Sequence, residues 1–395
     1  MTSRRRVVVV GGSQAGCASA NALRGFGFDG DITVVGAEPH PPYNRPPLSK
    51  SVLVGAEPDH SVFLPVPDGI RMLAGMTAVG LDRANRLVEL ADGDRLPYDG
   101  LVIATGARAR RLGQAGQRDP GEVTLRDLDD AVALRQRLGR ARDVVVVGGG
   151  FLGMEVASAA ASLGKTVTVV DRATPLVDRL GPKLSGMLLT AAGEHGVRIE
   201  VVPAGVRIER RRGVVDRLLS ADGTVLAEAD LIVTAAGDVP NTEWLHGSGI
   251  EIDCGVVIDR QCRVAPDIVG AGDVVSLRRS DGRRVRSPHW WNALAQARIA
   301  AATLLGREPD TSVGSTPPFF WTEAFGLKIR LAGHLPPAGE PTVIDGSVDD
   351  RRAVLVWPTT EEEPGFGTAA AVNATISVPK LTKLAQQLPA HPRTV

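Results

Sequence analysis

The chain has 395 residues, more than one hydrophobic core usually accommodates, so two or three domains are expected. Its 45 basic and 45 acidic residues cancel, which gives no support to a nucleic-acid-binding protein or to one held on an anionic membrane. With 43% hydrophobic and 23% charged residues, and no apolar run near the roughly 18 residues that span a bilayer, it is typical of a globular protein that does not insert into a membrane.

The first predicted element group is a βαβ unit over residues 7–38. The valine run at 7–10 is typical of a buried strand, CASANALRGFG at 17–27 favours a helix, and ITVVGAE at 32–38 favours a second strand. The glycine-containing turn GGSQAG, at 11–16, joins the first strand to the helix. A strand, a glycine turn and a helix in this order often present backbone to a pyrophosphate.

The same pattern returns in the second quarter of the chain. VVVVGG is repeated at 144–149 and continues into MEVASAAASLG at 154–164, which favours a helix, and VTVVD at 167–171, which favours a strand. The two copies are too far apart for a solenoid or propeller repeat. We therefore expect two related nucleotide-binding domains.

The glycines of the two turns have separate roles in a dinucleotide-binding fold. The first makes the tight turn, the second lets the backbone approach phosphate, and the third lets the helix pack closely on the strand. One copy alone leaves a plain glycine turn open as an alternative, whereas two copies in matching contexts favour nucleotide binding. A serine takes the middle position of the first copy, where its hydroxyl could donate to phosphate although its Cβ should crowd the approach. The positions are Gly11, Ser13 and Gly16 in the first copy and Gly148, Gly150 and Gly153 in the second.

An acidic side chain about 20 positions beyond the glycines accepts hydrogen bonds from a ribose in such folds. Glu38 and Asp171 stand at that distance in the two copies. Asp171 would repel a 2′-phosphate and so favours NADH over NADPH, although the adjacent Arg172 is the kind of side chain that a 2′-phosphate binds. The alternative for each acid is a solvated strand end.

Further strands are predicted at LVIATG (101–106), LIVTAAG (231–237) and VVI (256–258). From Pro317 the sequence changes character. FFW, LKIRLAG and AVLVW favour strands, and TKLAQQL favours a helix near the end. This tail indicates a separate α+β domain.

The three cysteines, Cys17, Cys254 and Cys262, form neither a CxxC pair nor a metal-ligand cluster, so we expect no metal site and a reducing compartment. The opening MTSRRRVVVV lacks the apolar length of a signal peptide. We therefore expect a cytoplasmic protein.

Two nucleotides in one chain imply electron transfer between them, usually from a nicotinamide to a flavin. LVIATG and PDIVGAGD (266–273) resemble two flavin-contacting motifs of the flavoproteins that have two dinucleotide-binding domains. The sequence more specifically resembles the oxygenase-coupled ferredoxin reductases, in seven segments that keep the family's order: PYNRPPLSK, ATG, GGGFLGMEVA, AGDVPNTEWL, GAGDV, HWWNALAQA and PFFWTEAFG.

The resemblance implies an α/β fold of the glutathione-reductase type, with two Rossmann-like domains and a C-terminal α+β domain. The implied boundaries are 1–108 and 239–316 for an FAD-binding domain, 109–238 for an NAD-binding domain and 317–395 for the C-terminal domain. The implied function is to pass electrons from NADH through FAD to a ferredoxin-type iron–sulfur protein that feeds an oxygenase. Segment 40–60 has no cysteine, so a thiol relay of the disulfide-reductase kind is disfavoured.

Two of the implied residues are catalytic. In relatives the lysine of the PYNRPPLSK motif pairs with a glutamate beside flavin N5, and the matching residues are Lys50 and Glu155. Such a pair would orient the hydride acceptor and compensate charge there. Pro46 and Pro47 stiffen the backbone that presents Arg45 and Lys50. A plain interdomain salt bridge is the alternative.

The remaining implied residues bind the cofactors. Asp273 matches the acid that binds the FAD ribityl chain, a helix starting near His289 and Trp290 would face the flavin N1/O2 edge, and Trp321 matches an aromatic residue at the acceptor face. Core packing is the alternative for both tryptophans. The full FAD set is Gly11, Ser13, Gly16, Glu38, Arg45, Lys50, Thr105, Gly106, Asp273, His289, Trp290 and Trp321, and the NAD set is Gly148, Gly150, Gly153 and Asp171.

Pro288 departs from the family, many of whose members carry glutamate there near the nicotinamide. Together with the extra Trp291, it leaves an NADH oxidase or small-molecule reductase open as an alternative function. An NADH-sensing flavoprotein is a further alternative. Arginine clusters at 278–286 and 207–212 could attract an acidic ferredoxin or be solvated faces. The sequence does not distinguish a monomer from a homodimer.

Overall fold

A computed structural model describes residues 5–66, 68–113, 122–210, 216–279, 281–337, 339–359 and 365–387. The chain divides into two compact units. Unit 1 comprises residues 1–44, 62–108 and 239–316, and unit 2 comprises residues 45–61, 109–238 and 317–395.

Unit 1 is built on a six-stranded sheet and two helices. The strands are β1 (Arg6–Val10), β2 (Asp31–Gly36), β3 (Ile70–Ala74), β7 (Gly100–Ile103), β19 (Arg263–Ala265) and β20 (Ile268–Gly270), and the helices are α1 (Gln14–Gly25) and α5 (Trp290–Leu304). Their order in the sheet is β19-β20-β7-β1-β2-β3. Val7 to Val10 are all buried, as expected of a strand that is covered on both faces of a parallel sheet. Helices α1 and α5 pack against each other.

Smaller sheets complete unit 1. One is a meander of β4 (Ala78–Asp82), β5 (Leu87–Leu90) and β6 (Arg95–Pro97), and another joins β18 (Val256–Ile258), β21 (Val275–Arg278) and β22 (Arg284–Val285). A two-stranded sheet of β8 (Ala107–Ala109) and β17 (Asp238–Pro240) lies where the chain passes from one unit to the other.

Unit 2 repeats the same architecture around a second parallel sheet. Its elements are β9 (Val123–Thr124), α2 (Leu128–Arg140), β10 (Asp143–Val147), α3 (Phe151–Ser162), β11 (Thr166–Asp171), α4 (Val177–Glu194), β12 (Arg198–Val201) and β16 (Leu231–Thr234), beside a small sheet of β13 (Val206–Glu209), β14 (Asp216–Ser220) and β15 (Val225–Ala229). The strand order is β12-β11-β10-β16-β9. Helix α4 is kinked at Gly181, which has a positive φ of 71° and precedes Pro182.

The tail of unit 2 is an antiparallel sheet with one helix. Its elements are β23 (Phe319–Ala324), β24 (Leu327–Ala332), β25 (Thr342–Ser347), β26 (Arg352–Trp357), β27 (Thr368–Val372) and α6 (Val378–Gln387). The strand order is β23-β24-β27-β26-β25. Leu381 and Ala385 of α6 pack on this sheet.

The two predicted βαβ units, the strand at 256–258 and the α+β tail are all present. The helices after the glycine turns begin three residues earlier than predicted. Ser13 and Gly150 are their N-caps, so each helix starts inside its turn. The last residue of the predicted TKLAQQL helix, Leu388, lies outside the described residues, as do residues 211 and 212 of one arginine cluster. Among the helices so described, none has the length and apolar character needed to cross a membrane.

Candidate active site

The sheet of unit 1 brings four predicted site positions to one edge. Strand β1 pairs in parallel with β2 and β7, and β7 pairs in parallel with β20, so their carboxyl ends meet at the same edge. Gly11 follows β1, Glu38 follows β2, Thr105 follows β7 and Asp273 follows β20. Ligands of open α/β sheets bind outside this edge.

The glycines of the first turn are required by close backbone packing. A Cβ at Gly11 would lie 2.0 Å from the carbonyl oxygen of Ala104, and a Cβ at Gly16 would lie 1.8 Å from that of Gly11. Gly11 also has a φ of +130°, which side chains rarely adopt. These two positions therefore accept only glycine.

The position of Ser13 does not require glycine. It has extended backbone at the N-cap of α1, and its counterpart Gly150 has a φ of −70°, where a Cβ would meet none of the described residues within 4 Å beyond its own helix and chain neighbours. A serine is therefore tolerated by the fold at this position. The open space beside Gly150 leaves room for another group to approach the backbone.

Glu38 is held by a tyrosine of the proline-rich motif. The Tyr43 hydroxyl donates a hydrogen bond to Glu38 Oε2. Two buried acceptors of unit 1, Gln14 Oε1 and Asn44 Oδ1, have no hydrogen-bond partner among the described residues. Buried polar atoms are normally satisfied, so the unpaired acceptor of Gln14, at the start of α1 in the glycine turn, fits a polar ligand that binds there.

An asparagine locks the turn after β7. Thr105 Oγ1 donates to the carbonyl oxygen of Asn241 at 2.7 Å, Asn241 Nδ2 donates to the Thr105 carbonyl at 2.9 Å, and the Asn241 amide donates to the Gly106 carbonyl at 3.0 Å. Gly106 has a φ of +64°. The reciprocal bonds fix the backbone of the turn.

Gly272, the residue before Asp273, is packed against both α1 and α5. The Gly272 amide donates to Gln296 Oε1 at 2.8 Å, and a Cβ at Gly272 would lie 2.7 Å from that of Ala15. His289 is the N-cap of α5. Trp290 follows it, with its ring centroid 6.3 Å from that of Trp291.

The second turn has the same construction in unit 2. A Cβ at Gly148 would lie 2.4 Å from the Ala235 carbonyl oxygen, and one at Gly153 would lie 1.8 Å from that of Gly148. Asp171 ends β11 and accepts a hydrogen bond from the Gly149 amide at 2.6 Å. The acidic side chain thus lies at the turn itself, which favours the predicted site over a solvated strand end.

The predicted pair of Lys50 and Glu155 is formed in unit 2. Lys50 Nζ donates to Glu155 Oε2 at 2.7 Å, and the Lys50 and Glu155 side chains are 20% and 8% exposed. Ser49 Oγ donates to the same oxygen at 2.5 Å, and Thr322 Oγ1 donates to Glu155 Oε1 at 2.8 Å. Glu155 is therefore a buried carboxylate that accepts three charge-assisted hydrogen bonds.

The segment carrying Lys50 is anchored to α2. Arg45, the N-cap of a short 3-10 helix at Pro46–Ser49, donates to the Arg126 carbonyl at 2.7 Å. Arg135 makes two hydrogen bonds to Asp59, at 2.7 and 3.0 Å, which hold the pKa of that carboxyl below its ordinary value. These contacts support the stiff presentation expected from the prolines.

A cavity of about 340 Å³ adjoins the ion pair. Its lining includes Ser49, Lys50, Glu155, Ser158, Glu323 and Lys328. Trp321, one residue before Thr322, stacks on Phe319 with ring centroids 6.0 Å apart. This contact agrees with the packing alternative for Trp321 and leaves its predicted cofactor role a prediction.

Two of the three cysteines are buried. Cys17 lies in α1, and burial raises its pKa to about 11. Cys262 is fully buried and Cys254 is exposed, and all three are free. A thiolate nucleophile is therefore not available at Cys17 near neutral pH.

Four residues with site contacts were not singled out from the sequence. Each lies inside a motif that was quoted for the resemblance, but residue type alone gave no reason to separate it from its neighbours. The partners of three of them lie far away in the chain, whereas the fourth, Tyr43, binds Glu38, five residues before it. The four are Tyr43, Ser49, Asn241 and Thr322.

Comparisons with known proteins find relatives over most of the chain. Residues 5–297 match the family model described as pyridine nucleotide-disulphide oxidoreductase. Rhodocoxin reductase of Rhodococcus erythropolis is 36% identical over 352 residues, which cover 87% of this chain and 81% of the relative. The 3-phenylpropionate/cinnamic acid dioxygenase ferredoxin–NAD(+) reductase component of Photorhabdus laumondii is 33% identical over 384 residues, 95% of each chain.

Solved structures show the same fold. A chain in the crystal structure of the covalent putidaredoxin reductase–putidaredoxin complex has a TM-score of 0.85 and 30% identity, and the match covers 98% of this chain and 93% of that one. The water-forming NADH oxidase of Lactobacillus brevis has a TM-score of 0.82 at 19% identity, a likeness of fold alone. The α/β fold with two Rossmann-like domains is thereby confirmed.

Proposed function

The chain belongs to the pyridine nucleotide-disulphide oxidoreductase family, and on this premise we propose that it is an FAD-dependent ferredoxin reductase. It passes electrons from NADH through FAD to a ferredoxin-type iron–sulfur protein that feeds an oxygenase. The observation that carries this function is the pair of glycine turns, one in each unit, together with relatives over most of the chain that are named ferredoxin–NAD(+) reductase components.

We assign the turn of unit 1 to FAD. Gly11 and Gly16 bring the backbone close to the sheet edge, Ser13 offers a hydroxyl there, and Glu38 is oriented by Tyr43 to accept from a ribose. Thr105, Gly106, Asp273, His289 and Trp290 complete this set. The unpaired acceptors of Gln14 and Asn44 support a polar ligand in this unit.

We assign the turn of unit 2 to NADH. Gly148 and Gly153 form the tight turn, and the space beside Gly150 admits a pyrophosphate to the backbone amides at the start of α3. Asp171 presents a carboxylate suited to ribose hydroxyls and unsuited to a 2′-phosphate. The assignment of domains to nucleotides, and of Arg45 and Trp321 to FAD, stays a prediction from the resemblance.

When bound, FAD accepts two electrons as a hydride and gives them up one at a time. The chain contributes placement and charge. The Lys50 ammonium supplies a fixed positive charge from a stiff backbone, and Glu155 holds it in place. Burial raises the pKa of Cys17, which disfavours a thiolate relay at that residue. We also propose that the protein works in the cytoplasm, which its three free cysteines support.

A rapid-mixing experiment tests this function. The protein loaded with FAD is first reduced with NADH in the absence of oxygen. It is then mixed with an oxidised ferredoxin from an oxygenase system and, in parallel experiments, with oxygen or with a quinone. We expect ferredoxin to accelerate reoxidation well beyond oxygen or quinone. Fast reoxidation by oxygen, with no acceleration by any ferredoxin, would support an oxidase and overturn the proposal.

A further inference from the structure

Glu155 is fixed by two segments of unit 2 that are distant from it in sequence. Ser49 and Lys50 reach Oε2 from the proline-rich segment, at 2.5 and 2.7 Å. Thr322 reaches Oε1 from β23 of the tail, at 2.8 Å. Among the described residues, Thr322 is the only donor to Oε1, so the orientation of the carboxylate depends on the tail.

Successive residues of α3 contact successive residues of β23 and of the turn that follows it. Phe151, Glu155 and Ser158 lie on one face of α3 because they are spaced by four and three residues. Phe151 packs its ring 4.2 Å from that of Phe320, and Ser158 Oγ accepts from the Phe325 amide at 2.7 Å. Thr322 lies between these two contacts, so its distance to Glu155 is set by packing on both sides.

A cavity beside the ion pair gives the Glu155 carboxylate room to rotate. This cavity of about 340 Å³ adjoins Glu155, and its lining includes the polar side chains of Ser158 and Lys328 together with apolar ones such as Leu327. A carboxylate without the Thr322 hydrogen bond has room to turn toward it and become hydrated. Such a turn would move Oε2 away from Lys50.

We propose that Thr322 is a positioning residue, which fixes the Glu155 carboxylate and through it the Lys50 ammonium. The tail domain thereby acts on the ion pair as well as covering part of unit 2. This inference rests on the proposed function only in assuming that the pair assists flavin reduction by NADH.

The test compares Thr322→Val, which keeps the shape and removes the hydroxyl, with Thr322→Ser, which keeps the hydroxyl. The matched control is Thr368→Val, because Thr368 is also buried in the tail sheet and donates a hydrogen bond of 2.8 Å, to the His334 carbonyl. In the FAD-loaded enzyme without ferredoxin, we expect Thr322→Val to slow flavin reduction by NADH about 10-fold, as loss of a hydrogen bond to a charged group predicts. Flavin reduction in Thr322→Ser and Thr368→Val should stay within about 2-fold of the rate in the unsubstituted protein, because neither variant removes a hydrogen bond to the Glu155 carboxylate.

A double variant shows whether Thr322 acts through Glu155. Thr322→Val added to Glu155→Gln should slow reduction no further than Glu155→Gln alone. The same non-additivity is expected in urea unfolding of the protein without NADH, a readout that does not depend on activity. The inference would be overturned if the flavin of Thr322→Val were reduced by NADH as fast as that of the unsubstituted protein. It would also be overturned if the effects of Thr322→Val and Glu155→Gln were additive both in flavin reduction and in urea unfolding. Failure to reduce ferredoxin, with the coupling intact, would overturn only the proposed function.

Discussion

At the scale of single residues, the buried ion pair of Lys50 and Glu155 is the feature that most needs a functional explanation. A buried ion pair costs desolvation, so its stabilising value alone gives little reason for it. The prolines before Lys50 and the contacts of Arg45 and Arg135 hold one partner in place. A fixed charge is useful where a reaction changes the charge of a bound group.

Removal of the ammonium should therefore slow flavin reduction more than removal of a surface lysine. We expect Lys50→Met to lower the rate of flavin reduction by NADH by about 100-fold. Lys328→Met removes a lysine from the same unit, whose pair with Glu323 is half exposed, and should change the rate less than about 2-fold. Equal rates for the two variants, measured by rapid mixing, would assign the Lys50 pair a structural role only.

Thiol reactivity is a second prediction at this scale. Burial raises the pKa of Cys17 to about 11 and also raises that of Cys262, whereas Cys254 is exposed. Iodoacetamide at pH 8 should therefore modify Cys254 in the folded protein and all three cysteines in urea. Peptide mass mapping measures this directly. Rapid modification of Cys17 without denaturant would reopen a thiol route for electrons.

At the scale of elements, the sequence predicted both glycine turns and the helices that follow them. Each helix begins three residues earlier than predicted. The repeat VVVVGG and the spacing of the glycines determine a strand, a turn and a helix with almost no help from distant residues. The bonds made by Asn241, Ser49 and Thr322 depend on contacts between distant segments, whereas Tyr43 binds Glu38, five residues before it. No local pattern marks such partners, so the sequence predicted their motifs and missed their roles.

The second turn allows folding and ligand binding to be separated. A Cβ at Gly153 would clash with the Gly148 carbonyl, so Gly153→Ala should destabilise the protein by about 2 kcal/mol. A Cβ at Gly150 meets none of the described residues beyond its chain neighbours, so Gly150→Ala should shift the urea midpoint much less than Gly153→Ala while it weakens NADH binding, measured by titration. Unchanged NADH affinity in Gly150→Ala would show that the nucleotide does not approach this backbone.

The start of α2 is predicted to be sensitive to pH. Burial, with a smaller contribution from Asp127, raises the pKa of Asp130 to about 6 from its ordinary value of 3.8. Folded Asp130 holds its proton more tightly than the unfolded chain does, so its stabilising contribution is complete below about pH 4 and is lost as pH rises through about 6.

Asp130→Asn should remove that loss. Because Asn stays neutral, the variant should gain about 1 kcal/mol relative to the unsubstituted protein between pH 4.5 and pH 8, a figure that allows for solvent screening of a half-buried group. Its amide oxygen can still accept from the Arg126 amide, as Asp130 does at 2.9 Å. Urea unfolding at the two pH values measures the gain, and an identical pH dependence in both proteins would contradict it.

At the scale of the whole molecule, the duplicated architecture explains why one chain has two similar turns. Each unit has a parallel sheet whose carboxyl edge carries a glycine turn and an acidic side chain. Segment 45–61 groups with the second unit, although the predicted FAD-binding domain includes it. Sequence periodicity reports the order of strands and helices along the chain, whereas such grouping depends on long-range packing.

Local pairing also limits what the arginine cluster at 278–286 can contribute to a partner surface. Arg278 and Arg284 both bind Glu251, and Arg283 binds Asp281. Pairs of this kind at the surface cancel much of each other's field. Recognition of an acidic ferredoxin therefore needs more than this cluster.

The most direct measurement is an anaerobic titration of the purified protein with NADH, followed through the colour of the flavin. We expect a yellow protein with about one FAD per chain, bleached completely by about one equivalent of NADH. A colourless protein that takes up no FAD, or a yellow one whose colour NADH leaves unchanged, would contradict the presence of two nucleotide sites that exchange electrons.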